Sequence, residues 1–258
     1  MKSLIAILAV VALATSCREQ EVNSNGQPSR LRAVQTIAND WTMQDTYTYH
    51  TDGRIARIEW ERNTPYTTKG VDVYQYDGNL RLTGLVRSIS GLVDEQIQFI
   101  YDGARIAGEV SWYEGVKEKF TFYEYNDAGQ LVKSEFHRRN PEANGFALET
   151  EVHYAYHPHG NVAEIKTYVF DSDLQQLRLH TTKAYPDYLL TRFAPLDTEF
   201  SLPGIRLQKN LPTRYILTTP DKTLDVTFTY RWMPDGKLLD RTVQFPNGQT
   251  EQSIYTFE

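Results

Sequence analysis

The sequence is that of an all-β fold: an antiparallel meander of consecutive hairpins, curled into an open or a closed barrel-like sheet. Three recurring features carry this expectation. Aromatic-x-aromatic pairs stand at Tyr47/Tyr49, Tyr74/Tyr76, Phe99/Tyr101, Tyr123/Tyr125, Tyr154/Tyr156 and Phe228/Tyr230. A glycine turn follows each pair, at Gly53, Gly78, Gly103, Gly129, Gly160 and Gly236. An aliphatic residue then restarts the alternation: Ile55, Leu80, Ile106, Leu131, Val162, Leu238. A spacing of two puts each aromatic pair on one face of a strand. Asp-Gly and Asn-Gly supply the positive φ that tight hairpins need.

Taken from the N-terminus, Lys2 and the apolar run Leu4 to Ala14 form an export signal, because 11 apolar residues are too few to span a bilayer, which takes about 20. The small residues Ala14, Thr15 and Ser16 precede the only cysteine, Cys17. Residues 1–16 are expected to be a signal peptide. Residues 17–33 begin at Cys17 and continue as a polar, Gly/Pro-bearing tether. Residues 34–258 are expected to form one domain. Its first glycines lie 25, 25, 26 and 31 apart, so the hairpin is a repeating unit. The repeat fails between Asp171 and Pro220. Leu174 to Tyr185 still alternates, Tyr188 to Phe193 fits a short helix or a strand, and the proline-rich stretch at about 186–212 reads as an ordered crossing segment. Tyr215 to Thr219 and Leu224 to Tyr230 resume the sheet, and Asn247-Gly248 marks a last hairpin.

Composition narrows the function classes. Aromatics make up 12% of the chain, with 17 Tyr, which suits half-buried strands. The net charge is −6, and the one basic pair, Arg138-Arg139, reads as a solvated turn, so no nucleic-acid partner is expected. No G-x-S-x-G, HExxH or P-loop occurs. His153, His157 and His159, with His137 upstream, are read as turn and strand chemistry. His153 and His157 stand about four ~3.3 Å steps apart, too far to share one ion on a straight strand. Asp171-Ser172-Asp173 lacks the remaining ligands of a calcium loop and reads as a turn. Asp94-Glu95 and Glu149/Glu151 are paired carboxylates of the kind that acid–base hydrolysis uses, and also of the kind that surface strands carry. No metal or cofactor is expected. Trp41, Trp60, Trp112 and Trp232 fall outside the repeated positions and are the candidate ligand surface, since indole faces stack on sugar rings.

The phrase Y-x-Y-(D/N)-x-x-G-x-(L/I/V) resembles the YD repeats of Rhs and teneurin proteins. The run from Leu4 to Cys17 is similar to a bacterial lipobox, with Ala14 in place of the usual Leu. That resemblance implies cleavage before Cys17 and acylation of its thiol and new amine. With Lys209-Asn210-Leu211-Pro212-Thr213 added, the chain resembles Bacteroidetes cell-envelope lipoproteins with a domain of unknown function and a porin-like or curled β-sheet fold. This implies a lipid-anchored location in the cell envelope, at the outer membrane. The leading expectation is a non-enzymatic protein that binds a ligand or partner, such as a glycan or an envelope protein, or that plays a structural role. The alternatives are a carrier of a lipid or other hydrophobic ligand inside the curled sheet, and a hydrolase.

Overall fold

A computed structural model describes residues 30–140, 145–195 and 205–258. The signal segment 1–16, Cys17 and most of the tether lie outside the described residues. Among the described residues every element is a strand. In chain order these are β1 (Leu31–Ile37), β2 (Thr42–Tyr49), β3 (Ile55–Asn63), β4 (Thr67–Tyr76), β5 (Leu82–Ile89), β6 (Leu92–Asp102), β7 (Arg105–Tyr113), β8 (Val116–Tyr125) and β9 (Leu131–Asn140). They continue with β10 (Gly145–Tyr156), β11 (Val162–Asp171), β12 (Gln176–Ala184), β13 (Tyr188–Phe193), β14 (Asn210–Pro212), β15 (Arg214–Thr218), β16 (Thr223–Trp232), β17 (Leu238–Gln244) and β18 (Thr250–Phe257).

Sixteen of these strands form one closed antiparallel barrel, β1 to β12 followed by β15 to β18. β18 pairs back on β1 through Val34↔Tyr255 and Thr36↔Ser253, so the barrel has no free edge. Closure settles the choice between open and closed sheets. The sheet begins at Leu31, inside the stretch 17–33 expected as tether, because Leu31 is buried among core residues of the barrel. Tyr188–Phe193 is a strand, and pairs with β14 in a separate two-stranded sheet.

The first aromatic of each pair points into the barrel. Tyr47, Tyr74, Phe99, Tyr123 and Tyr154 are buried and Phe228 is half-buried, and most of them pack with Leu82, Leu85, Ile106, Leu131 and Val162. The β13–β14 segment closes this end of the barrel as a plug. Tyr185, Ile205 and Leu207 join the larger cluster, while Ala194 and Leu211 join a second cluster with Leu31, Tyr47 and Tyr255. The described parts of the proline-rich crossing therefore belong to the core.

The turns refine the sequence reading. Gly53, Gly129, Gly160 and Gly236 each take a positive φ in a five-residue turn whose ends are hydrogen-bonded, as in Asn126 N–H to Gln130 C=O at 3.0 Å. Gly103 also takes a positive φ. Gly78 does not. In that repeat the equivalent residue is Leu80 (φ 66°), whose N–H bonds Asp77 C=O at 2.9 Å. Leu80 is thus a turn residue, not the start of β5, and Leu82 takes the inward position. Opposite these turns, at the far end of the barrel, two hairpins close through Ser90-Gly91 and Glu114-Gly115, with positive φ at both residues.

Candidate functional site

The second aromatic of each pair has a separate role. Each tyrosine hydroxyl at this position donates across the seam between hairpins to a backbone carbonyl near the start of the neighbouring return strand. The bonds run Tyr49 to Leu31, Tyr76 to Ile55, Tyr101 to Leu82, Tyr125 to Ile106, Tyr156 to Leu131 and Tyr188 to Val162, at 2.6–2.9 Å, and Tyr230 to Pro212 continues the series. Burial pushes the phenols of Tyr49 and Tyr125 up to about 12, with small corrections from nearby charges, so they remain donors.

A cation covers most of these rings. Arg54 lies over Tyr76 (4.2 Å to the centroid), Arg81 over Tyr101 (5.1 Å), Arg105 over Tyr125 (5.9 Å) and Arg30 over Tyr49 (5.6 Å). Arg54, Arg81 and Arg105 follow the turns of their own hairpins. Where the repeat lapses, the plug supplies its own cation: Arg192 lies over Trp232 at 4.4 Å. This cation position was not singled out in the sequence, although a basic residue does recur just after the turns at Arg54, Arg81, Arg105 and Lys237.

The series of cations lapses after Gly129, where Gln130 stands, and after Gly160, where Asn161 stands. Gln130 follows Gly129 and bonds Asn126 through its side chain (3.0 Å) instead of covering Tyr156. A pocket of about 460 Å³ opens there, lined by Ala128, Gln130, Tyr156, His157, Pro158, His159, Gly160 and Lys209. Two of the histidines noted in the sequence meet in it: His157 and His159 stack at 4.8 Å, and both rings meet Tyr188 edge-on. His157 Nε2 donates to Tyr185 C=O (2.7 Å), and His159 Nδ1 accepts from Asn161 Nδ2 (2.9 Å). Burial, then His157, lowers the His159 pKa, so its imidazole is neutral near neutral pH. His153 is elsewhere, 2.5 Å from Glu151 on the outer face.

Asn161 fixes the plug beneath this pocket. It is fully buried, its Oδ1 accepts from the N–H groups of Lys209 (2.7 Å) and Asn210 (2.9 Å), and its Nδ2 reaches Asn210 Oδ1 (2.9 Å). Asn210 in turn bonds the carbonyls of Leu190 and Arg192.

The inner wall toward the far end is polar. Arg87 holds Asp72 through two bonds (2.9 and 2.8 Å) and reaches Glu95 (3.3 Å). Tyr113 donates to Glu95 (2.7 Å) and Lys119 to Tyr113 (2.6 Å). Glu95, one of the paired carboxylates, is therefore an ion-pair partner. Glu109 accepts weakly from Thr121 (3.4 Å), and its Oε2 is buried without a hydrogen-bond partner among the described residues. Burial raises its pKa.

The four tryptophans do not gather on one surface. Trp41 precedes β2 and is half-buried. Trp60 lies across Gly70, donates to Asp72 (3.2 Å) and carries Arg62 over its ring. A Cβ on Gly70 would fall 2.1 Å from that indole, so only glycine fits there. Trp112 follows the inward Ser111 and sits on the outer face, and Trp232 packs in the cluster under the plug. Arg138 and Arg139 end β9 in ion pairs with Glu149 (2.9 Å) and Glu118 (3.4 Å). Asp171 Oδ1 caps the N–H groups of Asp173 and Leu174, as a turn residue does.

Solved structures share this fold. A porin-like protein from Bacteroides uniformis matches at TM-score 0.60 and 14% identity, over 88% of this chain and 98% of that one. A porin-like protein from Bacteroides vulgatus matches at TM-score 0.61 and 12% identity, over 89% and 99%. The fold is porin-like. At these identities the likeness extends to the fold alone. No protein-family model and no curated protein matches the sequence.

The outer wall of the barrel carries ion pairs. Strand register places Arg57–Glu59 (2.8 Å), Lys69–Glu61 (2.8 Å), Lys133–Glu135 (2.8 Å), Lys166–Glu164 (2.7 Å) and Arg214–Asp225 on the face opposite the buried tyrosines.

Proposed function

We propose that this protein is a lipid-anchored barrel of the cell envelope that binds a ligand or partner at its plugged end, without catalysis. The charged outer wall carries this reading. A barrel that crosses a bilayer needs an apolar belt about 25 Å tall, and each Arg or Lys facing lipid at the midplane costs roughly 2–4 kcal/mol. Five ion pairs spread over β3, β4, β9, β11 and the β15–β16 pair leave no such belt. The membrane link then falls to Cys17, whose two or three acyl chains would anchor where one gives only marginal binding. The porin-like structures from Bacteroides agree with an envelope setting.

The interior weighs against a carrier of hydrophobic ligands. At the plugged end, side chains of the plug fill the barrel, and toward the far end the wall bears Asp72, Arg87, Glu95 and Lys119. Those carboxylates are tied to cations, which also weighs against a hydrolase. Two experiments test the proposal. Fatty-acid labelling of the full chain is expected to be lost in Cys17→Ala, and the Cys17→Ala protein is expected to stay soluble and monodisperse without detergent. A requirement for detergent, or conductance in planar bilayers, would overturn it.

A further inference from the structure

The geometry points to the pocket over Tyr156 as a binding site for a small organic oxyanion, a carboxylate or a phosphate ester on a polar ring. This deepens the binding-protein reading above and rests on it. At this position the repeat lacks its arginine: Gln130 stands where Arg54, Arg81 and Arg105 stand, and its side chain turns to Asn126. The ring of Tyr156 is left beside an open volume of about 460 Å³, within the usual small-molecule range.

Charge decides what fits. A guest guanidinium would restore the missing stack but would meet Lys209, which also lines the pocket. The Nζ of Lys209 would stand 2.8 Å from a Cβ on Gly160, and Gln130 Nε2 would stand 3.9 Å from it, so both converge on this turn. Lys209 has no carboxylate within ion-pair distance among the described residues, whereas Arg54, Arg81 and Lys237 on the same rim each have one. A like charge is repelled here and an anion is attracted.

The remaining groups are donors. Gln130 Oε1 is occupied by Asn126, which leaves its Nε2 hydrogens. His159 Nδ1 is occupied by Asn161, which places the ring proton on Nε2. The Tyr156 hydroxyl hydrogen is committed to Leu131. An ammonium, an amide NH2 and an imidazole N–H suit the acceptor-rich oxygens of a carboxylate or phosphate. The stacked imidazoles and the Tyr156 ring add flat apolar walls for the ring that carries the anion.

The test uses the full chain with Cys17→Ala, titrated calorimetrically with glucuronate, glucose 6-phosphate, glucose and inorganic phosphate. Glucuronate or glucose 6-phosphate is expected to bind more tightly than both glucose and inorganic phosphate, and which of the two binds identifies the source of the anion. Lys209→Gln is expected to weaken binding by roughly tenfold or more, the worth of a charge-assisted hydrogen bond. Gln130→Glu is expected to abolish binding by setting a carboxylate beside Lys209, with no loss in melting temperature. Absence of binding, equal binding of all four probes, or binding untouched by both substitutions would overturn the site. A wider panel of neutral glycans and peptides separates the two failures. A ligand found there and insensitive to Lys209→Gln leaves the binding-protein reading standing without this site, and no ligand at all removes both.

Discussion

The two ends of the barrel are made by the same hairpins and held together by different physics. At the plugged end, burial is apolar, tyrosine hydroxyls satisfy seam carbonyls, and guanidinium groups cover tyrosine rings. Toward the far end the inner wall is an ion-pair network, Asp72–Arg87–Glu95, extended by Tyr113 and Lys119. The first set repeats with the sequence; the second does not. A repeat thus encodes only half of each strand, the half next to its glycine turn. The plug docks on the repeated half, where a nearly uniform rim gives it a surface to bind.

Breaking the plug's attachment is the largest expected effect. Asn161→Leu keeps the volume but leaves the N–H groups of Lys209 and Asn210 without their acceptor. Two orphaned donors at roughly 2 kcal/mol each give about 4 kcal/mol of destabilisation. Denaturant unfolding would measure the loss, and limited proteolysis is expected to cut first within 186–212. Unchanged stability would mean that the plug is held by its apolar contacts with Tyr185 and Leu207 alone.

The far end is tested through Glu109. Burial raises the pKa of its folded carboxyl above the ordinary glutamate value. Its contribution to stability is therefore complete below the unfolded-state pKa and is lost as pH rises through the folded one. At neutral pH the folded protein holds either a buried charge or a proton that the unfolded chain has released. Glu109→Gln removes that penalty, so the variant is expected to melt higher than the parent near pH 7 and equal to it near pH 4. A pH-independent difference would trace the effect to packing.

The class of fold was legible in the sequence because aromatic spacing, turn glycines and restart residues all repeat in register. Closure was not, since nothing in Leu31–Ile37 alone says that it will pair with Thr250–Phe257. The plug was legible as an interruption but not as a core element. Its contacts run through Asn161, Leu207 and Asn210, which belong to no repeat. The candidate site is half visible in the sequence: His157 and His159 stand out, but flanking Pro158 they read as turn chemistry. The signal missed was a substitution, Gln130 for the arginine of its siblings. A lapse becomes informative only when the rule it breaks is known, and here that rule required seeing the guanidinium of each repeat over the next tyrosine.

The latches give a smaller effect that tests whether the repeated end is additive. Tyr125→Phe removes the bond to Ile106 C=O and is expected to cost about 1 kcal/mol. The same change at Tyr76 is expected to cost a similar amount, and the double variant about the sum, because the two latches serve different seams. A strongly non-additive pair, measured by a double-mutant cycle, would show that the ring of latches acts as one unit.

The smallest effect is the sharpest test of the turn alignment. Leu80 occupies the place that glycine takes at Gly53, Gly129, Gly160 and Gly236, with the same hydrogen bonds. A left-handed conformation costs a non-glycine residue roughly 1–2 kcal/mol. Leu80→Gly releases that strain, but glycine gives the unfolded chain more freedom, worth about 0.5–1 kcal/mol against folding. Leu80 is 57% exposed, so little burial is lost. The expected outcome is a net gain of about 0.5 kcal/mol. The reverse change, Gly129→Leu, introduces the same strain where a Cβ would meet Arg105 Nη2 at 3.2 Å, and should disturb the stack on Tyr125 as well. If Leu80→Gly destabilises while Gly129→Leu is silent, the equivalence of the two turns fails. The rim is then set by side-chain contacts and not by backbone geometry.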